Sequence, residues 1–108
     1  MGWFSTLFGT NQVWEGAPRS PKWGALRDRF IKENPFCAGC GDIRELTVHH
    51  IVPFHVRKDL ELDESNLVTV CNDCHWNICH LRDWRMVNPH CLDDLRAYKI
   101  RYSEVRVK

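Results

Sequence analysis

Two adjacent histidines, His49 and His50 in "VHHIVPFHV", and four cysteines in two C-x-x-C pairs are the side chains of this chain best suited to chemistry. The pairs are Cys37/Cys40 in "CAGCG" and Cys71/Cys74 in "CNDCH", thirty residues apart. An imidazole with a pKa of about 6.5 exchanges protons with water at neutral pH and also ligates divalent metals. Two thiolates three positions apart on a tight turn can occupy two corners of a tetrahedron at ~2.3 Å from an ion, and a second such turn supplies the other corners. The spacing is that of a structural zinc site, with Gly39 and Gly41 expected to give the first turn its positive φ angles. A lone C-x-x-C would serve equally as a redox motif, and six cysteines in so short a chain would also suit a disulfide framework. Residues 1–10 lack the basic start and cleavage site of a signal peptide, so a reducing, cytoplasmic setting is expected, the interior of a phage-infected host included. Cys79 and Cys91 read as small core residues.

These side chains need elements to hold them. Ser20 and Pro21 suit the start of a helix over about 21 to 33, with Trp23, Leu26, Phe30 and Ile31 at helical spacing and Pro35 ending it. "LTVHHI" and "NLVTVC" are β-rich and alternate, which predicts two short strands able to pair antiparallel. A helix capped by Asn72 or Asp73 is expected to follow the second cysteine turn and run toward Asn88-Pro89. "HCLDDLRAYKIRYSEV" reads as a final helix. The expected organisation is a loosely attached arm over 1–20 and one α+β domain over 21–108. In the arm Trp3, Phe4, Leu7 and Phe8 share one face, suited to docking on the domain or on a partner protein.

Neighbouring residues of a regular strand point to opposite faces, so His49 and His50 are not expected to chelate one ion together. A division of labour fits better, one binding metal and the other handling a proton.

Net charge is +1, so any phosphate-binding surface must come from the distribution of charge. Basic residues gather before the cysteines (Arg19, Lys22, Arg27, Arg29, Lys32) and at the end, while Asp59, Glu61, Asp63 and Glu64 form an acidic patch. No apolar run approaches the ~20 residues of a membrane span.

"CAGCG…VHHIVPFH…NLVTVCNDCH" resembles the HNH endonucleases of the His-metal finger (ββα-metal) superfamily, in the branch clipped by a C-x-x-C pair on either side. The resemblance covers about residues 20 to 90, with a core motif at 37–82. It implies a small zinc-stabilised ββα-metal finger with flanking N- and C-terminal helices, and a metal-dependent enzyme that nicks or cuts DNA with little specificity. It assigns His49 as ligand of the catalytic cation, His50 as general base, Asn66 as the residue that holds the intervening loop, and His75 as a further metal ligand. His80 lies five residues after His75, where relatives keep a spacing of four. On a regular helix five residues turn ~140° past one full turn, so His80 joins the cation only where the helix distorts. Mg, Mn, Ni or Zn could fill that site, whereas Cys37, Cys40, Cys71 and Cys74 would hold a separate structural zinc. Arg27, Arg29, Arg82 and Arg85 are candidate phosphate contacts, and a monomer or homodimer is expected. The competing reading is a catalytically silent zinc module that binds nucleic acid or protein. That module needs the same cysteines but not the histidine pair or Asn66; taken singly, His49 or His50 could be half-buried strand residues satisfied by backbone bonds, and His75 could replace one cysteine as zinc ligand.

Overall fold

A computed structural model describes residues 19–107, with side chains to residue 102. The expected arm face of Trp3, Phe4, Leu7 and Phe8 lies outside the described residues. The architecture is α+β, a two-stranded antiparallel sheet between helices.

Helix α1 (Trp23–Glu33) forms because Leu26 and Phe30 recur on one face and are buried there. It stops at Asn34, where the following proline disfavours helical dihedrals. The backbone N–H and the Nδ2 of Asn34 both donate to Phe30 O, at 2.8 and 3.1 Å. Ser20 precedes the helix as a turn residue, its Oγ accepting from Lys22 N at 3.1 Å.

Strand β1 (Leu46–His50) pairs with β2 (Leu67–Cys71), in a register that sets His49 opposite Val68 and His50 opposite Leu67. Alternation then sorts the hairpin into two faces. Val48 and Leu67 pack with Leu26 and Phe30 of α1. Val68 and Val70 join Cys37, Cys71, Cys74, Cys79, Cys91 and Leu95 in a second cluster. All five residues of β2 are buried, as a strand covered on both faces requires.

After β2 the chain makes one α-helical turn, α2 (Asn72–Cys74), which widens into a π-helical turn over His75–Cys79. The cap differs from the Asn72 or Asp73 expected from sequence: Sγ of Cys71 accepts from Cys74 N at 3.4 Å. The helix is also much shorter than expected. It ends at His80, and Leu81 and Arg82 adopt left-handed φ values of 54° and 66°, while Arg82 N returns to Trp76 O at 2.8 Å. The closure spans one residue more than the usual left-handed helix terminus, in keeping with the wider π turn, and uses two non-glycine residues at positive φ and so carries local strain. Residues 81–90 form an irregular loop, fastened by Asn88. Its backbone N–H donates to Cys79 O at 2.7 Å and its Nδ2 to Ile78 O at 3.1 Å and Asp94 Oδ2 at 2.6 Å.

Helix α3 (Cys91–Val107) closes the fold, with Asp93 and Asp94 in its first turn, where carboxylates favour the helix dipole. Cys91 and Leu95 anchor its start in the second cluster. Among the described residues no helix is long and apolar enough to cross a membrane.

Candidate active site and metal centres

The cysteine centre is built from two turns. Cys37 and Cys40 come from the knuckle before β1, and Cys71 and Cys74 from the end of β2 and α2. Their four sulfurs lie within 4.8 Å of one another, and Cys40 Sγ is 3.6 Å from Cys71 Sγ. A tetrahedral ion with metal–sulfur bonds of ~2.3 Å places its ligands ~3.7 Å apart, so the cradle fits such an ion. The thiols compete for charge. Accepting from Cys74 holds Cys37 down to about 4, burial pushes Cys40 up to about 11, and the Cys37 contact pushes Cys74 up. Four thiolates this close ionise together only around a cation.

The two glycines expected to shape the first turn act differently from each other. Gly41 has φ +82°, as expected. Gly39 does not share that conformation. A Cβ there would meet Cys74 Sγ and Leu95 Cδ2 at 3.0 Å each, so its role is close approach of the knuckle to the sulfurs.

The imidazole centre lies on the π-turn side of the hairpin. Ligand nitrogens of His49, His75 and His80 fall within 4.8 Å of one another, and the ring of His49 is 5.1 Å from that of His75 and 5.0 Å from that of His80. The π turn explains why a spacing of five works. His80 N donates to His75 O at 3.0 Å, so residues five apart come into line on the wider turn, as they would not on an α-helix. His80 Nδ1 lies 2.7 Å from Met86 O. A carbonyl only accepts, so Nδ1 carries the proton and Nε2 the lone pair. That Nε2 is 3.1 Å from Nε2 of His75.

All three rings are held neutral. Burial pushes His49 well down, reinforced by His75 and His80. Burial and His80 take His75 down to about 4, and burial lowers His80. His49 is 2% exposed, and its Nε2 is buried without a hydrogen-bond partner among the described residues. Stranding such a group costs roughly 1–3 kcal/mol, and the neutral imidazole is the form that ligates a divalent cation.

His50 points to the other face, as strand alternation demands. Its ring packs 4.4 Å from Trp23 and 6.3 Å from Phe54, and it is 8% exposed. Its Nε2 lies 2.9 Å from the backbone oxygen of Glu61, which makes Nε2–H the donor and leaves the lone pair on Nδ1. Nδ1 makes no hydrogen bond among the described residues. Burial lowers its pKa, outweighing the opposite pull of the Glu61 carbonyl.

Asn66 ties the loop between the strands to their base. Its Oδ1 accepts from Val52 N at 2.9 Å, and its Nδ2 donates to Val52 O at 2.9 Å and Leu60 O at 3.3 Å. The Leu60 bond is one residue from the carbonyl that holds His50.

Two positions carry more than the sequence reading assigned them. Glu61, placed there in an acidic patch, is buried. Its carboxylate accepts from Ser20 N at 3.1 Å and lies 4.0 Å from Arg19, so it fastens residues 19–20 beside His50, and its own carbonyl fixes the His50 tautomer. Arg19 also covers the rings of Phe54 and Trp23, at 4.2 and 5.2 Å. Trp84 carries no signal in the sequence. It is 58% exposed and leans on His75 at 5.1 Å and His80 at 4.7 Å. No spacing rule points to it, because the left-handed bend at 81–82 brings it there.

The arginines divide. Arg27 pairs with Asp28 at 3.2 Å, Arg29 with Glu64 at 2.7 Å and Arg85 with Asp83 at 3.3 Å. Arg82 is exposed and pairs with no carboxylate among the described residues.

Comparison with protein families bears on this geometry directly. Residues 37–83 match the HNH endonuclease family model, a segment that starts at the first cysteine of the knuckle and ends just past the π turn. This segment, rather less than half of the chain, is similar to an HNH-family domain, and its four-cysteine cluster is compatible with the zinc-clipped branch. The match makes a nuclease-type function and nucleic acid the class of activity and partner it suggests. Neither the curated proteins nor the solved structures gave a match.

Proposed function

We propose that the chain is a metal-dependent HNH endonuclease that hydrolyses DNA phosphodiester bonds by nicking or low-specificity cleavage. The observation that carries this is the convergence of His49, His75 and His80 across a π turn, inside the segment that matches the family.

His50 is the general base. Neutral at pH 7 and with Nε2–H committed to Glu61 O, it offers Nδ1 to a water and takes the water's proton as the oxygen attacks phosphorus. Asn66 holds the loop whose carbonyl fixes that ring. His49 and His75, with His80, would hold one divalent cation (Mg2+, Mn2+, Ni2+ or Zn2+), which when bound stabilises negative charge on the phosphate and on the leaving 3′ oxygen. Cys37, Cys40, Cys71 and Cys74 would hold a structural Zn2+ that clips the knuckle to the finger. Arg82, exposed, two residues after His80 in sequence and without a carboxylate partner among the described residues, is the arginine freest to meet a phosphate. Backbone contacts of this kind give little sequence readout.

The facing of His50 favours a second reading, a zinc module that binds nucleic acid or protein without cutting: its ring lies under Trp23, almost covered, on the side of the strand opposite His75 and His80. Supercoiled plasmid incubated with Mg2+, Mn2+ or Ni2+, against EDTA controls, separates the two. The nuclease reading expects nicked circles with metal and none with EDTA. A wild-type protein that binds the plasmid yet leaves it intact under every metal overturns that reading.

A further inference from the structure

His49 belongs to a second set of side chains besides the imidazoles. Its ring nitrogen and the sulfurs of Cys79 and Cys91 also lie within 4.8 Å of one another. Both cysteines are fully buried and carry free thiols. Cys79 closes the π turn and Cys91 opens α3, so the two sulfurs come from elements far apart in sequence. They meet beside a histidine that is itself 2% exposed and whose Nε2 has no hydrogen-bond partner among the described residues.

We propose that His49, Cys79 and Cys91 form a thiophilic metal site, distinct from the four-cysteine centre and mutually exclusive with the imidazole site. Two thiolates and one imidazole are a soft donor set, suited to Zn2+, Cd2+ or Cu+ and poorly matched to Mg2+ or Mn2+. The ligand atoms, all within 4.8 Å of one another, need to close by at most about an ångström to reach the ~3.7 Å separation of a tetrahedral ion with ~2.3 Å metal–sulfur bonds. Binding replaces each S–H proton by the cation and releases two protons, with no change of oxidation state. The exclusivity follows from the ring. A neutral imidazole has one lone pair and one N–H, so it serves one cation at a time. A soft ion held by Cys79 and Cys91 takes His49 from His75 and His80, and a hard ion on the imidazoles leaves the two thiols protonated. The chain would thereby sort cations by softness around one histidine.

Cadmium NMR of the full-length protein under a phosphine reductant tests this, because the cadmium shift reports how many sulfurs and nitrogens bind. The expected wild-type spectrum has the low-field four-sulfur resonance and a second at higher field for two sulfurs and a nitrogen. Cys91→Ser and His49→Ala should each lose the second resonance and keep the first. A wild-type spectrum with no mixed sulfur–nitrogen resonance overturns the site, and needs no variant to fold. Persistence of that resonance in folded Cys91→Ser overturns it too. Full occupancy of the mixed resonance and of an all-nitrogen resonance in the same sample overturns the exclusivity.

Discussion

The two candidate cation centres flank one hairpin but assemble in opposite ways. At the cysteine end each turn brings two ligands three residues apart, and two turns suffice. At the histidine end three ligands come from separate positions, and one of them arrives only because a helix widens into a π turn. The first centre is local chemistry repeated. The second is tertiary: it depends on the bend at Leu81 and Arg82, on the Met86 carbonyl and on the Asn88 bonds that pin the end of the turn. Losing a cysteine should therefore undo the fold, and losing a histidine should undo only the site.

Substitutions at neighbouring positions break that comparison most severely. Binding of a structural zinc contributes roughly 10–16 kcal/mol in small domains, as much as the net stability of roughly 5–15 kcal/mol of a typical protein. Cys74→Ser should leave the chain largely unfolded and zinc-free by circular dichroism and metal analysis. His75→Ala should remain folded with zinc bound. Equal loss of structure in the two would erase the distinction.

His50→Ala sharpens the functional side. The variant should keep its zinc and its circular dichroism spectrum while its rate of plasmid nicking falls by roughly 10²–10⁴, the usual contribution of a general base. Equal rates in variant and wild type would remove His50 from that role.

Asn66→Ala should act on both. It strands Val52 N and two carbonyls, all only partly buried; a loss of roughly 1–3 kcal/mol in total should lower the thermal midpoint by roughly 5–20 °C. Nicking should weaken even where the protein is folded.

A pH titration bears on the imidazole end, with buried His50 on the other face contributing in the same direction. His75 titrates at about 4 in the folded chain, against about 6.5 unfolded. Between those values the unfolded chain binds the extra proton, so stability rises with pH across the window. With no cation on the imidazoles, the stability present above pH 6.5 should be lost progressively down to pH 4, by up to about 3 kcal/mol. His75→Gln should flatten that slope in urea melts.

The smallest effect tests the π turn itself. Deleting exposed Asn77 changes the spacing of His75 and His80 from five to four, and residues four apart share a face on an ordinary α-helix. Cation affinity at the imidazoles should stay within about tenfold of wild type, the scale of changes around rather than in a ligand set. An alanine inserted after Asn77, making the spacing six, should lose far more.

How much of this was legible in the residues follows the same division. The cysteine pairs, the first helix (expected from about residue 21, observed from Trp23), both strands and the opposite facing of His49 and His50 rest on local spacing and on chain alternation, and the structure has them. So does Asn66, whose hydrogen bonds to its own loop follow from its position before the second strand. The distortion that admits His80 could be posed from the spacing but not decided, because its cause lies in hydrogen bonds from residues 86 and 88. Glu61 looked like surface charge because its burial depends on Ser20 and Arg19, some forty residues away in sequence. Cys79 and Cys91 do sit in the core as expected, but only the folded chain shows that they meet His49.

The account rests on three imidazoles closing around one cation, apart from the cysteines. Anomalous diffraction from crystals soaked in Ni2+ tests it most directly. The account predicts a nickel peak roughly 2.1 Å from nitrogens of His49 and His75, with His80 alongside and a zinc peak at the four sulfurs. Nickel found only among the sulfurs or on the surface, with the three rings empty, would contradict it.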